Sequence, residues 1–460
     1  MAKKEVKSPI IEEKIKKSLN YSIKDGIVSS VASGTGDNFI SAFAVSLKAT
    51  NFELGLLSAL PNLIPGELFT ARAMEKWSRK KIMLFGVLMQ SLLWLPIALL
   101  PLIFLKKAAL APILLIIFYT VYIGFGWFIS PAWSSWMKNL TEGREKGKYF
   151  GLRNKIGGIA GLSATIIAGL ALDGFKHAGL VFVGFTSLFV VASLSRLTAR
   201  HYINKKYEPK LKLKKGYYFS FWQFVKKAPT NNYGKFAIFI ALINFAVAIS
   251  SPFFAPYLLK ELKFNYITYT LINLVVQAAF TLLFMPIWGK FADKYGSIKT
   301  MRLTAYFIPL VPLLWLVSSS PYWLILSQMF AGIVWAGFNL AAANFTLEAV
   351  TKERVSLCSA YLSFLGGICV FVGSLLGGLI ASLNITFMNI FLFVFLISGI
   401  ARMIIVALMI KNIKEVRPVE KLRTNRWKMS TIPLADLNPI KNLLGGIERH
   451  SNHDSKKGKR

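Results

Sequence analysis

Twelve apolar stretches of roughly 19–26 residues, separated by short loops, dominate this chain. About 20 apolar residues are needed to carry a helix across ~30 Å of hydrocarbon, so each stretch reads as a membrane crossing. The spans fall at 26–47, 53–74, 82–104, 109–133, 154–174, 178–200, 236–258, 266–288, 300–318, 321–346, 357–382 and 386–410. They are numbered 1 to 12 below. The expected fold is an all-α membrane protein.

Charge orients it. Of the 55 Lys and Arg, all but Lys48, Lys106, Lys107, Lys176, Lys260 and Lys263 fall on one side of this topology. Lys/Arg-rich loops stay cytoplasmic, and an even number of crossings places both termini there, in a plasma (cell) membrane. The formal charge of +34 is spread over loops and tails rather than gathered in a folded basic domain. Nucleic acid is therefore rejected as a partner, and anionic lipid headgroups are the natural contact of the basic tails. The basic start is not read as a cleavable signal, because the first apolar stretch is too long and too polar. Cys358 and Cys369 share one span and lie too far apart along a helix to bridge. The four His are in loops, tails or span ends, so neither metal nor cofactor is expected.

The chain repeats itself. ARAMEKWSRKK (71–81) after span 2 aligns without gaps to GKFADKYGSIK (289–299) after span 8, 218 residues on. Phe43 and Ala44 match Phe254 and Ala255. The loop 140–158 matches 350–367, and Arg196 in span 6 matches Arg402 in span 12. A duplicated six-span unit with an even number of crossings inserts both copies the same way up. The result is twelve transmembrane helices in two six-helix halves related by a parallel pseudo-two-fold. The expected divisions are an N-tail (1–25), a first half (26–200), a basic connector (201–235) with an amphipathic helix in YYFSFWQFVKK (217–227), a second half (236–411) and a basic, mostly disordered tail (412–460).

Two such halves joined by a basic loop, with Gly289, Asp293, Lys294, Gly296 and Lys299 spaced as G-x-x-x-D-K/R-x-G-x-K/R, resemble the major facilitator superfamily of secondary transporters. The likeness covers about residues 20–412. The first-half copy departs from the pattern, with Ala71 and Ser78 for glycine and Glu75 for Asp. The resemblance implies a cytoplasmic gate at these loops. The residues proposed for it are Glu75, Arg144, Arg153, Gly289, Asp293, Lys294, Gly296, Glu348 and Arg354, with Arg144 or Arg153 as partners of Glu75 and Arg354 or Glu348 near Asp293. A carboxylate in such a loop can accept from helix N-terminal amides or pair with a cation. A merely soluble turn is the alternative.

Asp37 and Glu67 are the carboxylates placed well within a span. Inserting one at mid-membrane costs ~3 kcal/mol, so each should face a polar cavity. Span 1 is polar around Asp37, with Ser29, Ser30, Ser33, Thr35, Asn38 and Ser41, which suits a water-lined helix. Asp37 is expected to bind substrate or carry a coupling proton, with Asn38 beside it; a structural carboxylate is the alternative. Further substrate candidates are Tyr119, Tyr122, Trp127, Asn244, Asn273, Gln277, Trp335 and Asn339. Arg196 and Arg402 are expected to snorkel to headgroups. With no Lys or Arg then at mid-membrane, a neutral or cationic small-molecule substrate is favoured.

The expected function is a secondary active transporter working by alternating access, proton-coupled and monomeric, and not an enzyme. No ATP-binding motif of the Walker type is present. The alternative is a transport-incompetent relative acting as a membrane sensor or scaffold.

Overall fold

The computed structural model describes residues 9–64, 66–142, 146–209, 221–351 and 354–416. Arg144, the first four residues of the expected connector helix and the tail from 417 onward lie outside the described residues, as does the side chain of Glu67. Among the described residues every regular element is helical, and nine helices are long and apolar enough to cross a membrane. The remaining three crossings are interrupted helices. Span 1 is Pro9–Thr35, a 3-10 turn Asp37–Phe39 and Ile40–Ser46. Span 2 is Asn51–Ala59, a turn Leu60–Leu63 containing Pro61, and Gly66–Lys76. Span 9 is Ser297–Phe307 followed, after Pro309, by Leu310–Leu313 and a last turn Leu314–Leu316. The expected N-tail is thus helical from Pro9 onward, continuous with span 1. The connector contributes the short helix Phe221–Lys227, which buries Phe224 and exposes Trp222.

Each half pairs its helices in the same way. Span 1 packs on spans 5 and 6, as span 7 packs on 11 and 12; span 3 packs on 4, as 9 packs on 10. Glycine sets the closest approach. A Cβ on Gly373 or Gly377 of span 11 would come within 2.2 Å of the Phe245 or Ile249 carbonyl of span 7, so their G-x-x-x-G spacing serves packing within the chain.

The apolar core has three parts. One is shared by both halves at the end away from the basic loops and includes Phe39, Phe43, Phe185, Phe253, Tyr257, Tyr269 and Trp315. The other two lie at the basic end, one in each half: Ile82, Trp136 and Ile203 in the first, Phe236, Met301 and Phe345 in the second. Hydrogen bonds joining the halves gather at the shared core. Lys260 Nζ donates to the Ala49 carbonyl at 2.7 Å, Asn51 Nδ2 to the Ala381 carbonyl at 2.7 Å, and the Tyr266 and Ile267 amides to Asp173 at 2.6 and 2.9 Å.

The repeat extends past the last helix of each half. Glu208, just after span 6, accepts from the Arg79 and Lys80 amides at 2.8 and 3.3 Å. Glu415, just after span 12, accepts from the Ile298 amide at 2.9 Å. Each carboxylate thereby meets the positive N-terminus of the third helix of its own half. Neighbouring backbone is tied down alike: the Tyr207 amide donates to Ser18 Oγ at 2.7 Å and the Lys414 amide to Asn232 Oδ1 at 2.9 Å. These straps match across the repeat.

Candidate substrate and coupling site

Span 1 breaks where its carboxylate sits. The helix stops at Thr35. A Cβ on Gly36 would lie 2.5 Å from the indole of Trp94, so only glycine admits this contact. Asp37 opens the following turn. Its side chain faces the hydroxyls of Ser33 and Tyr122 and the guanidinium of Arg196, and its Oδ1 is buried without a hydrogen-bond partner. Arg196 donates to Tyr122 Oη at 3.1 Å. Tyr122 is almost fully buried, stacked on Tyr119 at 5.8 Å and packed on Trp94 at 4.8 Å. The aromatic pair therefore walls this cluster.

Arg196 therefore does not snorkel. It lies beside Asp37 and on the wall of a cavity of about 660 Å³ between spans 1, 5 and 8. Ser29, Ser30, Ser33, Asn38, Thr165, Gln277 and Thr281 supply its polar lining. Asn38 Nδ2 donates to Thr165 Oγ1 at 2.9 Å. The cavity runs from the break toward the basic end, where Arg153 stands.

Arg402 does not snorkel either. It is 1% exposed and donates to Ser250 Oγ at 2.9 Å and the Ile308 carbonyl at 3.4 Å. Pro312 lacks the N–H that a continuous helix would offer that carbonyl. Both arginines were missed by sequence because a charge near a span end defaults to the interface. The signal was their repetition at matched places.

A second cavity, of about 300 Å³, lies between spans 2, 4, 7 and 11, with Asn62, Trp127, Asn244, Ser363 and Phe364 on its wall. Asn273 instead reaches Tyr269 Oη at 3.5 Å. Trp335 packs edge-on against Phe338, and Asn339 is exposed; neither lines these two cavities.

The loop residues are placed unevenly. Arg153 pairs with Asp25 at 3.4 Å rather than with Glu75, and it lies over Trp133 at 4.9 Å. Asp25 also meets Lys206 of the first strap. Burial holds the Lys206 amine below the ordinary lysine range, against the pull of Asp25. Glu75, Asp293, Lys294 and Arg354 are exposed. A Cβ on Gly289 would stand 3.8 Å from the Leu340 side chain, an ordinary contact, and Lys294 lies over the Tyr295 ring. Gly296 turns the chain at φ +101°, a conformation only glycine adopts freely. Glu348 accepts from Ser297 Oγ at 3.0 Å at the same turn.

Two matched six-helix bundles sealed at one end, with polar cavities between them, define a multi-pass membrane transporter. The chain belongs to the Major Facilitator Superfamily, whose pattern matches residues 26–266 and again 236–445. It is 27% identical over 156 residues to the class H tetracycline resistance protein of Pasteurella multocida, a match covering 33% of this chain and 36% of that protein's length. Its fold is similar to that of the nucleoside transporter NupG, with a TM-score of 0.63 and 14% identity over 86% of this chain and 98% of the other. It is also similar to the partially occluded, inward-open xylose transporter XylE from E. coli, with a TM-score of 0.62 and 13% identity over 89% and 100%. The two structurally similar proteins are transporters, not enzymes.

Proposed function

We propose that this chain is a proton-coupled secondary transporter that moves a small neutral solute by alternating access. The observation that carries the reading is the Asp37–Arg196 pair, set at a helix break beside the larger cavity. A carboxylate there can exchange a proton with the cavity, and its charge state sets how strongly Arg196 is held. The arginines of the cavity wall each have a carboxylate: Asp37 faces Arg196 and Asp25 faces Arg153. Each guanidinium of the described wall thus faces a carboxylate, which leaves neither an unmatched cation to hold an anion nor an unmatched carboxylate to hold a cation. That argues for a neutral solute on firmer ground than a missing arginine did, and it sets the cationic alternative aside.

The shared core at one end and separate cores at the other support a state closed away from the basic loops and open toward them. By the distribution of Lys and Arg, that open side is the cytoplasm, both termini lie there, and the membrane is the cell membrane. A single chain supplies both halves, so a monomer suffices. Uptake into proteoliposomes under an imposed pH gradient tests the reading. Gradient-driven accumulation should occur in the wild type and vanish in Asp37→Asn. Accumulation with unchanged pH dependence in that variant would remove the coupling role. No transport of any solute would favour a sensor or scaffold.

A further inference from the structure

Spans 2 and 8 change partners part-way across the membrane. The outer end of span 2 lies on the second half. Asn51 bonds to the Ala381 carbonyl, a Cβ on Gly55 would stand 2.8 Å from the Ser374 carbonyl, and Ser374 Oγ donates to Ser58 Oγ at 3.3 Å. Below the turn Leu60–Leu63 the span returns to its own half, where a Cβ on Gly66 would stand 2.7 Å from the Phe128 amide nitrogen and Thr70 donates to the Phe128 carbonyl. Span 8 does the reverse. Its outer segment Tyr266–Thr270 lies on the first half: Asp173 holds its first amides, Tyr269 meets Phe39 edge-on at 6.5 Å, and a Cβ on Gly169 would stand 2.5 Å from Thr270 Oγ1. Further in, it is fastened to span 10 of its own half, with Thr281 Oγ1 donating to the Gly332 carbonyl at 3.2 Å and the Trp288 indole to the Ile333 carbonyl at 2.9 Å. Between the two attachments, Leu271–Val275 form a π turn, and the Val276 amide reaches back five residues to the Leu271 carbonyl.

The two joints are built differently. The turn in span 2 contains Pro61, which has no N–H to give and whose ring would press on the Leu57 carbonyl in a regular helix. That bend is permanent. Span 8 has no proline before Pro286. A π turn is a local widening of an α-helix, and this one can return to ordinary bonding without losing a donor. The contacts differ in the same sense. Spans 2 and 11 touch backbone to backbone, since a Cβ on Gly55 would stand 2.9 Å from Gly378 Cα. Span 8 is held to span 5 largely by a carboxylate on helix N-terminal amides, and water can satisfy such amides in its place.

We infer that the outer face opens on one side only: the contact of spans 2 and 11 is the pivot, the contact of spans 5 and 8 is the gate, and the π turn Leu271–Val275 is the joint at which the outer end of span 8 swings off Asp173. This rests on the transporter reading above for the existence of an outward-open state and goes beyond it in assigning unequal roles to two matched contacts. It also gives the opening a destination. Leu274 within the π turn and Gln277 just after it line the larger cavity, so a gate at spans 5 and 8 admits water to the side of the molecule that holds Asp37. The pivot stays shut beside the smaller cavity, which Asn62 of span 2 and Gly367 of span 11 line.

Single cysteines on the two contacts test this. Thr270 and Ala381 are 0% and 2% exposed. Thr270→Cys and Ala381→Cys, each in a full-length protein lacking Cys358 and Cys369, are treated in proteoliposomes with an impermeant maleimide from the outer side, and rates are taken relative to the denatured chain. Thr270→Cys should react about tenfold faster, because local opening exposes the gate and not the pivot, although Ala381 is the last residue of its helix. A disulfide between Ser58→Cys and Ser374→Cys, whose hydroxyls are 3.3 Å apart, should leave the rate at the Thr270 cysteine unchanged. Deuterium uptake by the wild type, which needs no substitution, should be faster at 266–276 than at 51–59. Equal or reversed labelling rates, a rate at Thr270→Cys that falls on bridging and recovers on reduction, or slower deuterium uptake at 266–276 overturns the inference. Labelling of neither cysteine while an Ala44 cysteine reacts does so too. Failure of the Ala44 cysteine to react as well would remove the outward-open state, and the transporter reading would fall with it.

Discussion

The Asp173 carboxylate at the far end of span 5 accepts a hydrogen bond from the Tyr266 amide at 2.6 Å, across the boundary between the halves. Ile267 adds a second bond at 2.9 Å, so one acid from the first half holds the exposed N–H groups that begin span 8. Hydrogen bonds to a charged group contribute about 1.5–3 kcal/mol. Asp173→Asn keeps the shape and removes the charge. It should move the equilibrium about tenfold toward the state open on the outer side. A cysteine at Ala44, which is 1% exposed in the shared core, reports this in a background lacking Cys358 and Cys369. Its reaction with an impermeant maleimide from outside should quicken severalfold, and an unchanged rate would show that Asp173 does not hold the seal.

Asp37 and Arg196 should be coupled in stability as well as in transport. Asp37→Asn leaves a guanidinium that cannot shed its charge, whereas Arg196→Gln leaves a carboxyl that can take up a proton. The first variant should therefore melt earlier than the second. The double variant should be less destabilised than the two single losses added together, by about 1–3 kcal/mol. Additive losses in denaturation of the detergent-solubilised protein would show the two side chains to be independent.

Arg402 offers the contrasting case. It has hydrogen bonds to Ser250 and Ile308 but no carboxylate partner in the described structure. Replacing a buried charge with an apolar side chain of similar volume is often neutral or stabilising. Arg402→Met should melt within a few degrees of the wild type or above it, while Arg196→Met should lose transport. A severe loss of stability in Arg402→Met would mean that its bonds to the two helix breaks outweigh the cost of desolvating it.

Lys206 gives a pH signature. Its folded-state pKa is below the ordinary lysine value of 10.5, so between the two values the unfolded chain binds more protons than the folded one. Stability from this group therefore rises with pH in that alkaline window and is lowest below it. Melting followed upward from pH ~8 should favour the wild type over Lys206→Met progressively more as pH increases. A constant difference would mean that the amine titrates normally.

The twelve crossings, their pairing into halves and the polar run around Asp37 were legible because each is written in local composition. Depth was not. Helices tilt, break and extend beyond the bilayer, so counting from a span's end placed Arg196 near the surface, when the break at Gly36 and the packing of span 6 bring it to Asp37. The partner of Arg153 was missed for a similar reason. Asp25 was assigned to a tail, and only the continuous helix from Pro9 to Thr35 brings it under span 5. Asn244 and Trp127 were chosen as lone polar and aromatic residues within spans. That they line one cavity while Gln277 lines the other depends on contacts between spans 2, 7 and 11 that no single helix encodes.

The clasps formed by Glu208 and Glu415 make each bundle self-contained. Residues 205–209 fasten back onto the first bundle and 413–416 onto the second, so neither relies on the other to finish its own folding at the basic end. A break in the polypeptide between Pro209 and Phe221 would leave both clasps in place. The duplicated unit still carries the parts of a freestanding subunit.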